Sequence, residues 1–252
     1  MEPSGDDRPV IEFRQVSYGV NGNGILRNLD LKIHNGETLV LLGRSGSGKT
    51  TTLKLINRLL TPSGGKILVD DRSTGEWDVI RLRRMIGYVI QEIGLFPHFT
   101  VERNIGLVPT IENWPASKIR ARVNELLSVV GLNPQIGSRY PRELSGGQRQ
   151  RVGVARALAI DPPILLMDEP FGALDPLTRS ELQHQFLELQ KRLRKTIVFV
   201  THDLREALLL GTRVALMDQG CLVAVHTKAE FLASSEPLIL AYKNAFAERD
   251  KP

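Results

Sequence analysis

The feature that most constrains this chain is an apolar run that ends in a glycine-rich turn. Residues 38–42 read TLVLL, and residues 43–50 read GRSGSGKT, which fits the pattern G-x-x-x-x-G-K-[ST]. A helical pattern follows, up to Leu60, and Pro62 stops it. A short, fully apolar run is typical of a buried parallel strand. The sequence therefore predicts a phosphate-binding loop that joins a buried strand to a helix.

The residue types in this loop suit a polyphosphate. Gly43, Gly46 and Gly48 let backbone N–H groups turn inward around phosphate oxygens. The helix N-terminus adds positive potential. Lys49 can reach the β- and γ-phosphates, and the hydroxyl of Thr50 can ligate Mg²⁺.

Further apolar runs alternate with amphipathic helices. Residues 164–167 (ILLM) and 196–200 (TIVFV) read as buried strands, and residues 213–217 read as another. Residues 117–130 and 176–194 have the spacing of amphipathic helices. Buried strands separated by helices predict an α/β fold with a parallel sheet.

Two other regions depart from that alternation. Leu29, Leu31 and Ile33 alternate with polar residues, as in a strand with one buried face, and residues 66–69 read as another strand. Residues 92–158 show no strong strand and are predicted to form a helical insertion. Within it, Ser117 is predicted to cap one helix.

A second anion-binding device lies about a hundred residues after the first. Residues 143–151 read ELSGGQRQR, with Ser145 as a plausible N-cap and with exposed backbone N–H groups at Gly146 and Gly147. Because this device belongs to the helical insertion, one chain cannot easily bring both devices to one triphosphate. Two copies arranged head to tail can do so.

Polar residues follow the buried strands where ligands gather in open α/β sheets. Asp168 ends the run ILLM and can bind Mg²⁺, and Glu169 can orient or deprotonate the attacking water. His202 follows another buried strand and can contact the γ-phosphate. Gln91 closes the strand-like stretch 86–90 and could contact Mg²⁺ or the water.

Composition excludes some classes of protein. The single cysteine, Cys221, excludes an internal disulfide framework and favours a reducing compartment. The N-terminus lacks the pattern of a secretory signal, and no apolar stretch approaches the roughly 18 residues of a membrane span, so we expect a soluble chain. The net charge of +5 suits nucleic acid, anionic lipid or nucleotide, or simply a solvated surface.

The motif LSGGQ at 144–148 resembles the signature of ATP-binding cassette (ABC) ATPases. The order of motifs is similar over most of the chain, because the phosphate loop, Gln91, the signature, ILLMDEP at 164–170, GALD at 172–175 and His202 follow one another. The resemblance implies a P-loop cassette fold with a RecA-like parallel-sheet core, an N-terminal antiparallel β subdomain and an inserted α-helical subdomain. It also implies one ATPase domain over residues 10–240, with the insertion at about 92–158, and a tail at 241–252.

The resemblance implies a role for each matching residue. Tyr18 resembles the aromatic residue that stacks on adenine, although a tyrosine within a strand is also compatible, and Asp175 belongs to a loop at the dimer interface. Glu169, His202 and Gln91 would be catalytic, and Thr50, Gln91 and Asp168 would hold the Mg²⁺. The residues that would bind ATP are Tyr18, Gly43, Arg44, Ser45, Gly46, Ser47, Gly48, Lys49, Thr50 and Thr51. The signature of the opposite copy would contribute Leu144, Ser145, Gly146, Gly147 and Gln148.

Three classes of ABC protein are compatible with these motifs: transporter subunits, ATPases of DNA repair or chromosome maintenance, and ribosome-associated ATPases. The second class carries long coiled coils and the third usually carries two cassettes, so transport is favoured and no nucleic-acid partner is expected. Residues 83–109 resemble importers of quaternary amines such as glycine betaine, choline and carnitine, with methionine and polar amino-acid importers as the alternative.

The resemblance also implies partners and a location. The implied partners are a second copy of this chain in a homodimer, integral membrane permease subunits and, indirectly, an extracytoplasmic solute-binding protein. The chain would lie at the cytoplasmic face of the plasma membrane. Ile93, Leu95, Phe96 and Phe99 could form an apolar patch for a permease helix, or could simply pack the insertion.

Overall fold

The structure of the protein, a computed structural model, describes residues 8–91, 94–172 and 174–249. The chain forms two compact units. The first contains the chain before Arg84 together with the chain after Arg194, and the second is Arg84–Arg194.

The N-terminal part of the first unit contains an antiparallel sheet and the first two helices. The sheet order is β2-β1-β4-β5, and the inward positions of β2 predicted by alternation, Leu29, Leu31 and Ile33, are all buried. The elements are β1 (Pro9–Val20), β2 (Asn23–His34), β3 (Thr38–Leu42), α1 (Lys49–Ile56), β4 (Gly64–Val69), β5 (Arg72–Ser73) and α2 (Val79–Arg84).

The second unit is mainly helical and contains one pair of parallel strands, β6 and β7. No strand lies between residues 94 and 158, as the sequence predicts. Two 3-10 turns, Pro134–Ser138 and Pro141–Glu143, separate α5 from α6. The elements are β6 (Ile86–Val89), α3 (Val101–Ile105), α4 (Leu107–Ile111), α5 (Ala116–Val129), α6 (Gly146–Ala157), β7 (Ile164–Asp168) and α7 (Pro176–Leu193).

The C-terminal part of the first unit completes a mixed sheet. Strands β8, β3 and β9 lie side by side and parallel, and β10 joins β9 in an antiparallel hairpin. Both β3 and β8 bury every residue, which confirms the buried strands predicted at 38–42 and 196–200. The elements are β8 (Thr196–Thr201), α8 (Leu204–Leu210), β9 (Arg213–Asp218), β10 (Cys221–Thr227), α9 (Lys228–Ala233) and α10 (Pro237–Arg249).

The structure corrects two helix boundaries. Ser117 does not cap α5, because the helix begins at Ala116 and Pro115 precedes it with φ −57°, a value that proline fixes and that suits a helix start. Helix α1 ends at Ile56 rather than near Leu60. Arg58 adopts φ 53°, and the N–H groups of Leu59 and Leu60 both donate to the carbonyl of Lys54, at 2.8 and 3.1 Å.

None of the helices among residues 8–91, 94–172 and 174–249 has both the length and the apolar character needed to cross a bilayer.

The turn between β9 and β10 packs against the start of β2. Gln219 and Gly220 have φ 46° and 81°, as a two-residue hairpin turn with both central residues left-handed requires. The N–H of Arg27 donates to the carbonyl of Gly220 at 2.9 Å, and a Cβ at Gly220 would collide with the carbonyl oxygen of Ile25. This contact joins the antiparallel sheet to the mixed sheet.

We predict that Gly220→Ala destabilises the protein more than Gly36→Ala does. Gly36 also has positive φ, at 73°, but a Cβ there would meet nothing within 4 Å. The Gly36→Ala variant therefore measures only the cost of a left-handed backbone at alanine, roughly 1–2 kcal/mol. We expect the Tm to fall by about 2–4 °C per kcal/mol, with a drop for Gly220→Ala at least about twice that for Gly36→Ala. Differential scanning calorimetry measures both. Equal drops would show that the contact with Ile25 contributes nothing.

Candidate functional site

The predicted phosphate loop begins where β3 leaves the mixed sheet. Leu42 pairs with Thr201 of β8 and Leu216 of β9, so the chain emerges at the carboxyl edge of three parallel strands. Gly43 is buried there, and a Cβ on it would collide with the carbonyl oxygen of Met217 and lie 2.5 Å from Ser47 Oγ. Only glycine fits this close approach.

The rest of the loop turns its backbone through left-handed positions. Gly46 and Gly48 have φ 79° and 98°, and the N–H of Ser47 donates to the carbonyl of Arg44 at 3.2 Å. Ser47 is 3% exposed, and its hydroxyl has no hydrogen-bond partner within the described part of the chain. Arg44, Ser45 and Gly46 are exposed. The loop therefore presents backbone groups and one buried, unsatisfied hydroxyl.

Lys49 is the first residue of α1 and is only 4% exposed. Its ammonium group donates to the carbonyl oxygens of Gly43 and Arg44, each at 2.8 Å. The side chain is therefore folded back along the loop, with its charge beside the loop backbone. Thr50 and Thr51 follow in the first turn of α1, and both are half-buried.

Tyr18 lies on β1 opposite Leu26 of β2. Leu26 packs on the loop so closely that a Cβ on Gly48 would lie 2.5 Å from its Cδ2. Tyr18 is half-buried and is separated from the loop by this single strand. Tyr18 therefore lies on the strand that pairs with the one packed on the phosphate loop.

His202 is exposed and directly follows β8. Since Leu42 and Thr201 are paired, Gly43 and His202 leave neighbouring strands at the same edge. Asp203 caps the next helix by accepting from the N–H of Arg205 at 2.7 Å, which fixes the turn that carries His202.

The second unit places the candidate acids at the end of β7. Asp168 is 3% exposed, and its Oδ2 accepts from the hydroxyl of Tyr88 on β6 at 3.4 Å. Burial, with the nearby Asp168 carboxylate, raises the pKa of Tyr88, so this hydroxyl remains a donor. Tyr88 was absent from the predicted site, and no motif in the sequence marks it.

Glu169 adopts a left-handed backbone conformation with φ 42°, which is uncommon for glutamate. The N–H of Gly172 donates to its carbonyl at 3.1 Å and closes a tight turn at the strand end. Strained backbone conformations such as that of Glu169 persist where the surrounding structure holds them, and they cluster at functional sites.

Gln91 is exposed and follows β6. Because Val89 of β6 pairs with Met167 of β7, Gln91 leaves the sheet at the same edge as Asp168 and Glu169.

The predicted signature forms the start of α6. Ser145 is the N-cap: its Oγ accepts from the N–H of Gln148 at 3.2 Å, and its own N–H donates to Gln148 Oε1 at 3.0 Å. Leu144 is buried, and its carbonyl accepts from Arg149 Nη1 at 2.6 Å. The structure confirms the prediction that Ser145 caps this helix. The helix begins directly after the cap, at Gly146.

The two glycines of the signature differ in their surroundings. Gly147 is buried, and a Cβ on it would lie 2.8 Å from Thr178 Cγ2 of α7. A Cβ on Gly146 would meet Leu174 at an ordinary 3.5 Å. Gly147 is therefore a packing residue, whereas the backbone of Gly146 has room around it.

Asp175 is exposed and caps α7 by accepting from the N–H of Thr178 at 3.0 Å. This backbone bond lowers the pKa of Asp175. Because Gly146 and Gly147 contact Leu174 and Thr178, the signature and the loop with Asp175 are neighbours within the second unit. Ala173 of the same loop lies outside the described residues.

The predicted apolar patch is only partly described, because Ile93 lies outside the described residues. Phe96 is 40% exposed, and its ring lies 5.1 Å from that of Phe99. Arg103 covers the ring of Phe99 at 3.8 Å. The patch therefore combines exposed aromatic surface with a cation.

The candidate Mg²⁺ ligands are Thr50 of the first unit and Gln91 and Asp168 of the second. Their oxygens are hard donors of the type that Mg²⁺ selects. Within residues 8–91, 94–172 and 174–249, no group of three or more His, Cys, Asp or Glu side chains could hold a metal ion. Asp168 supplies the one carboxylate among these donors, and a carboxylate is a ligand type that Mg²⁺ accepts together with substrate phosphates.

Known proteins are similar to this chain over most of its length. The family described as ABC transporter matches residues 26–172, more than half of the chain. The glycine betaine/carnitine/choline transport ATP-binding protein OpuCA of Bacillus subtilis is 54% identical over 224 residues, which cover 88% of this chain and 59% of that protein. The osmoprotectant import ATP-binding protein OsmV of Salmonella typhimurium is 53% identical over 207 residues, covering 82% of this chain and 54% of that protein.

Solved structures show the same fold. CbiO1 from Clostridium perfringens, described as part of the ABC transporter complex cbiONQ, superposes with a TM-score of 0.82 at 30% identity, covering 91% of this chain and 93% of that one. The ATP-binding cassette MJ0796, described as a dimer bound to ADP and Pi after hydrolysis, superposes with a TM-score of 0.76 at 33% identity, covering 86% and 98%. The predicted cassette fold is confirmed.

The chain spans little more than half the length of the curated relatives it matches. The family model nevertheless matches more than half of the chain, and the identities to these relatives exceed 50%. The chain belongs to the ABC transporter family.

Proposed function

We propose that this chain binds and hydrolyses ATP as the energising subunit of a bacterial importer for a small quaternary amine such as glycine betaine or choline. The observation that carries the proposal is the phosphate loop, where Gly43 is held against the mixed sheet and Lys49 lies along the loop. We also propose that residues 10–240 act as one ATPase domain, with residues 92–158 as its helical insertion and residues 241–252 as a tail.

ATP binding would replace hydrogen bonds that the phosphate loop makes within itself. Lys49 donates to two loop carbonyls, and a β- or γ-phosphate would offer its ammonium a charged acceptor instead. The unsatisfied Ser47 hydroxyl and the N–H groups at the start of α1 would supply further donors. Tyr18, on the strand next to the one that packs on the loop, would stack on the adenine.

Hydrolysis would depend on the acids that end β7. When bound, Mg²⁺ would neutralise charge on the phosphate oxygens, and Thr50, Gln91 and Asp168 are its proposed protein ligands. Glu169, fixed by its left-handed turn, would accept a proton from the attacking water. His202 would contact the γ-phosphate from the edge of β8.

The start of α6 would serve the ATP of a second copy of the chain. Ser145 and Gln148 bond each other, so the first-turn N–H groups at Gly146 and Gly147 are held in one orientation. The description of MJ0796 as a dimer bound to ADP and Pi supports such an arrangement. We therefore propose a head-to-tail homodimer, with Leu144–Gln148 facing the opposite triphosphate and Asp175 at the interface.

The names of the relatives support the substrate class and the partners. OpuCA and OsmV are named for transport of glycine betaine, carnitine and choline and for osmoprotectant import. We propose that permease subunits hold the dimer at the cytoplasmic face of the plasma membrane and contact the patch at Phe96 and Phe99. An extracytoplasmic binding protein would deliver the solute, and no nucleic acid takes part.

We predict that Glu169→Gln binds ATP and hydrolyses it about 10²–10⁴ times more slowly, because the amide cannot accept the proton. The variant should accumulate as an ATP-bound dimer, measurable by analytical ultracentrifugation beside a phosphate-release assay. Glu125→Gln, at an exposed glutamate of α5, is the matched control and should retain normal turnover. Full turnover by Glu169→Gln would contradict its assignment as the base.

We predict that Ser145→Ala lowers ATP turnover by at least about tenfold, because the donors of the signature lose their orientation. Thr227→Ala is the control, since Thr227 and Glu230 form the same capping box at an exposed helix start, α9. Both variants lose similar capping energy, about 1 kcal/mol. An equal loss of turnover in both would reduce the role of Ser145 to helix stability.

Solute uptake tests the transport proposal. In a bacterial strain lacking this chain, we expect uptake of radiolabelled choline or glycine betaine under salt stress to fall, and a plasmid copy to restore it. A copy carrying Glu169→Gln should fail to restore it, because the solute moves only with hydrolysis. Normal uptake of both solutes, with loss of methionine uptake, would overturn the substrate class and leave the ATPase assignment standing.

A further inference from the structure

A cavity of about 220 Å³ lies within the second unit, between α5, α6 and α7. Residues 128–131 at the end of α5 form one wall, and Gln150, Arg151 and Val154 of α6 form another. Phe171 and the residues of α7 from Leu182 to Arg192 complete the lining. None of the proposed catalytic or nucleotide-binding residues lines it.

The inner part of the cavity is lined by apolar side chains that are withdrawn from solvent. Phe171, Leu182 and Phe186 are 3–4% exposed, and Val154 and Leu189 are 6% exposed. The rings of Phe171 and Phe186 meet edge to face with centroids 6.1 Å apart. These five apolar residues are nearly buried, whereas Ser128, Gln185, Glu188 and Arg192 of the lining are exposed, so the feature is an apolar pocket with a polar rim, of a size that admits a small molecule.

Two polar groups of α6 in the lining lack partners. Gln150 is 3% exposed, and within the described residues neither its amide nitrogen Nε2 nor the Nε of Arg151 has a hydrogen-bond partner. Arg151 uses Nη1 to donate to the carbonyl of Gly131 at 3.0 Å. A buried donor without an acceptor costs about 1–3 kcal/mol, which a ligand with acceptor oxygens would recover.

The charges at the cavity favour an anion. Arg151 and Arg192 line it, and the third charged lining residue, Glu188, is paired with Lys191 at 2.7 Å. The carboxylate of Glu181 partly offsets the positive charge of Arg151. Arg192 lies at the exposed side of the cavity. The lining therefore combines an apolar interior with net positive charge and two donors in need of acceptors.

We propose that this cavity binds a small amphipathic carboxylate, with its apolar body among Phe171, Phe186 and Val154 and its carboxylate towards Arg151 and Arg192. A dry apolar cavity of about 150 Å³ is large enough for benzene, so this one has room for a chain of about eight carbons or a substituted phenyl ring. Aliphatic and aromatic carboxylates share the chemistry that the site selects.

Occupancy would affect the start of α6. Gly147 packs on Thr178 and Leu182 of α7, and Leu182 also lines the cavity. A ligand between α6 and α7 would therefore brace the contact that positions Ser145. We propose that the carboxylate changes the rate of ATP hydrolysis, and this regulatory part rests on the proposed function.

Binding to the purified full chain is measured by isothermal titration calorimetry. Octanoate represents aliphatic carboxylates and 3-phenylpropionate aromatic ones, while octan-1-ol and octylammonium replace the anionic group by a neutral and a cationic one. At least one carboxylate should bind at one site per chain, at about millimolar Kd or tighter. It should bind more tightly than the alcohol, and octylammonium should bind least. No saturable carboxylate binding, or equal binding by octylammonium, overturns the proposal.

Variants locate the site. Val154→Phe fills the cavity and should abolish binding. Arg192→Gln, at an exposed position, should weaken carboxylate binding about threefold to fivefold without changing octan-1-ol binding. Gln150→Met should weaken carboxylate binding roughly threefold to tenfold. Arg120→Gln removes an exposed arginine of α5 that does not line the cavity and should change nothing. Equal weakening by Arg192→Gln and Arg120→Gln would overturn the site.

Turnover separates the two proposals. Saturating carboxylate should change ATP turnover of the unmodified chain at least twofold and should not change that of Val154→Phe. Binding with unchanged turnover in an active ATPase overturns the regulatory part. Absence of any ATP turnover, with carboxylate binding intact, overturns the proposed function and leaves the binding site standing.

Discussion

The arrangement of the first unit depends on the burial of β3 between two parallel neighbours. Every side chain of β3 is buried, and its backbone is paired on both sides by β8 and β9. Backbone groups of this segment can therefore reach a polar ligand only after Leu42, where the chain leaves the sheet. The same pairing places His202 at that edge and sets the Met217 carbonyl against Gly43. The phosphate loop is thus a consequence of how this strand is buried.

Much of this could be predicted because the signals are local. An apolar run of five residues and an alternating run leave few choices of strand, and β3, β8 and β2 were found where the sequence indicates them. Ser145 was predicted as a cap from its place before a helical pattern, and the structure adds a reciprocal bond with Gln148. Ser117 failed as a cap because Pro115 starts the helix first.

What the sequence could not provide depends on distant contacts or on backbone geometry. Tyr88 reaches Asp168 only because β6 and β7 pair, eighty residues apart along the chain. Glu169 adopts a left-handed backbone conformation although it is not a glycine, so its residue type gave no indication of that conformation. The sequence predicts an exposed backbone at Gly147, yet Gly147 is buried against Thr178. These features arise from tertiary packing, which overrides local preference.

Helix α6 connects several of these features within the second unit. Ser145 and Gln148 shape its first turn, and Gln150, Arg151 and Val154 line the cavity one turn later. In its last turn, Arg156 Nη1 donates to the carbonyl of Gly94 at 2.6 Å, in the segment that follows Gln91. Burial lowers the pKa of Arg156, but the guanidinium remains charged at neutral pH and its bond to Gly94 is correspondingly strong. One twelve-residue helix therefore connects the signature, the cavity and the segment after Gln91 physically.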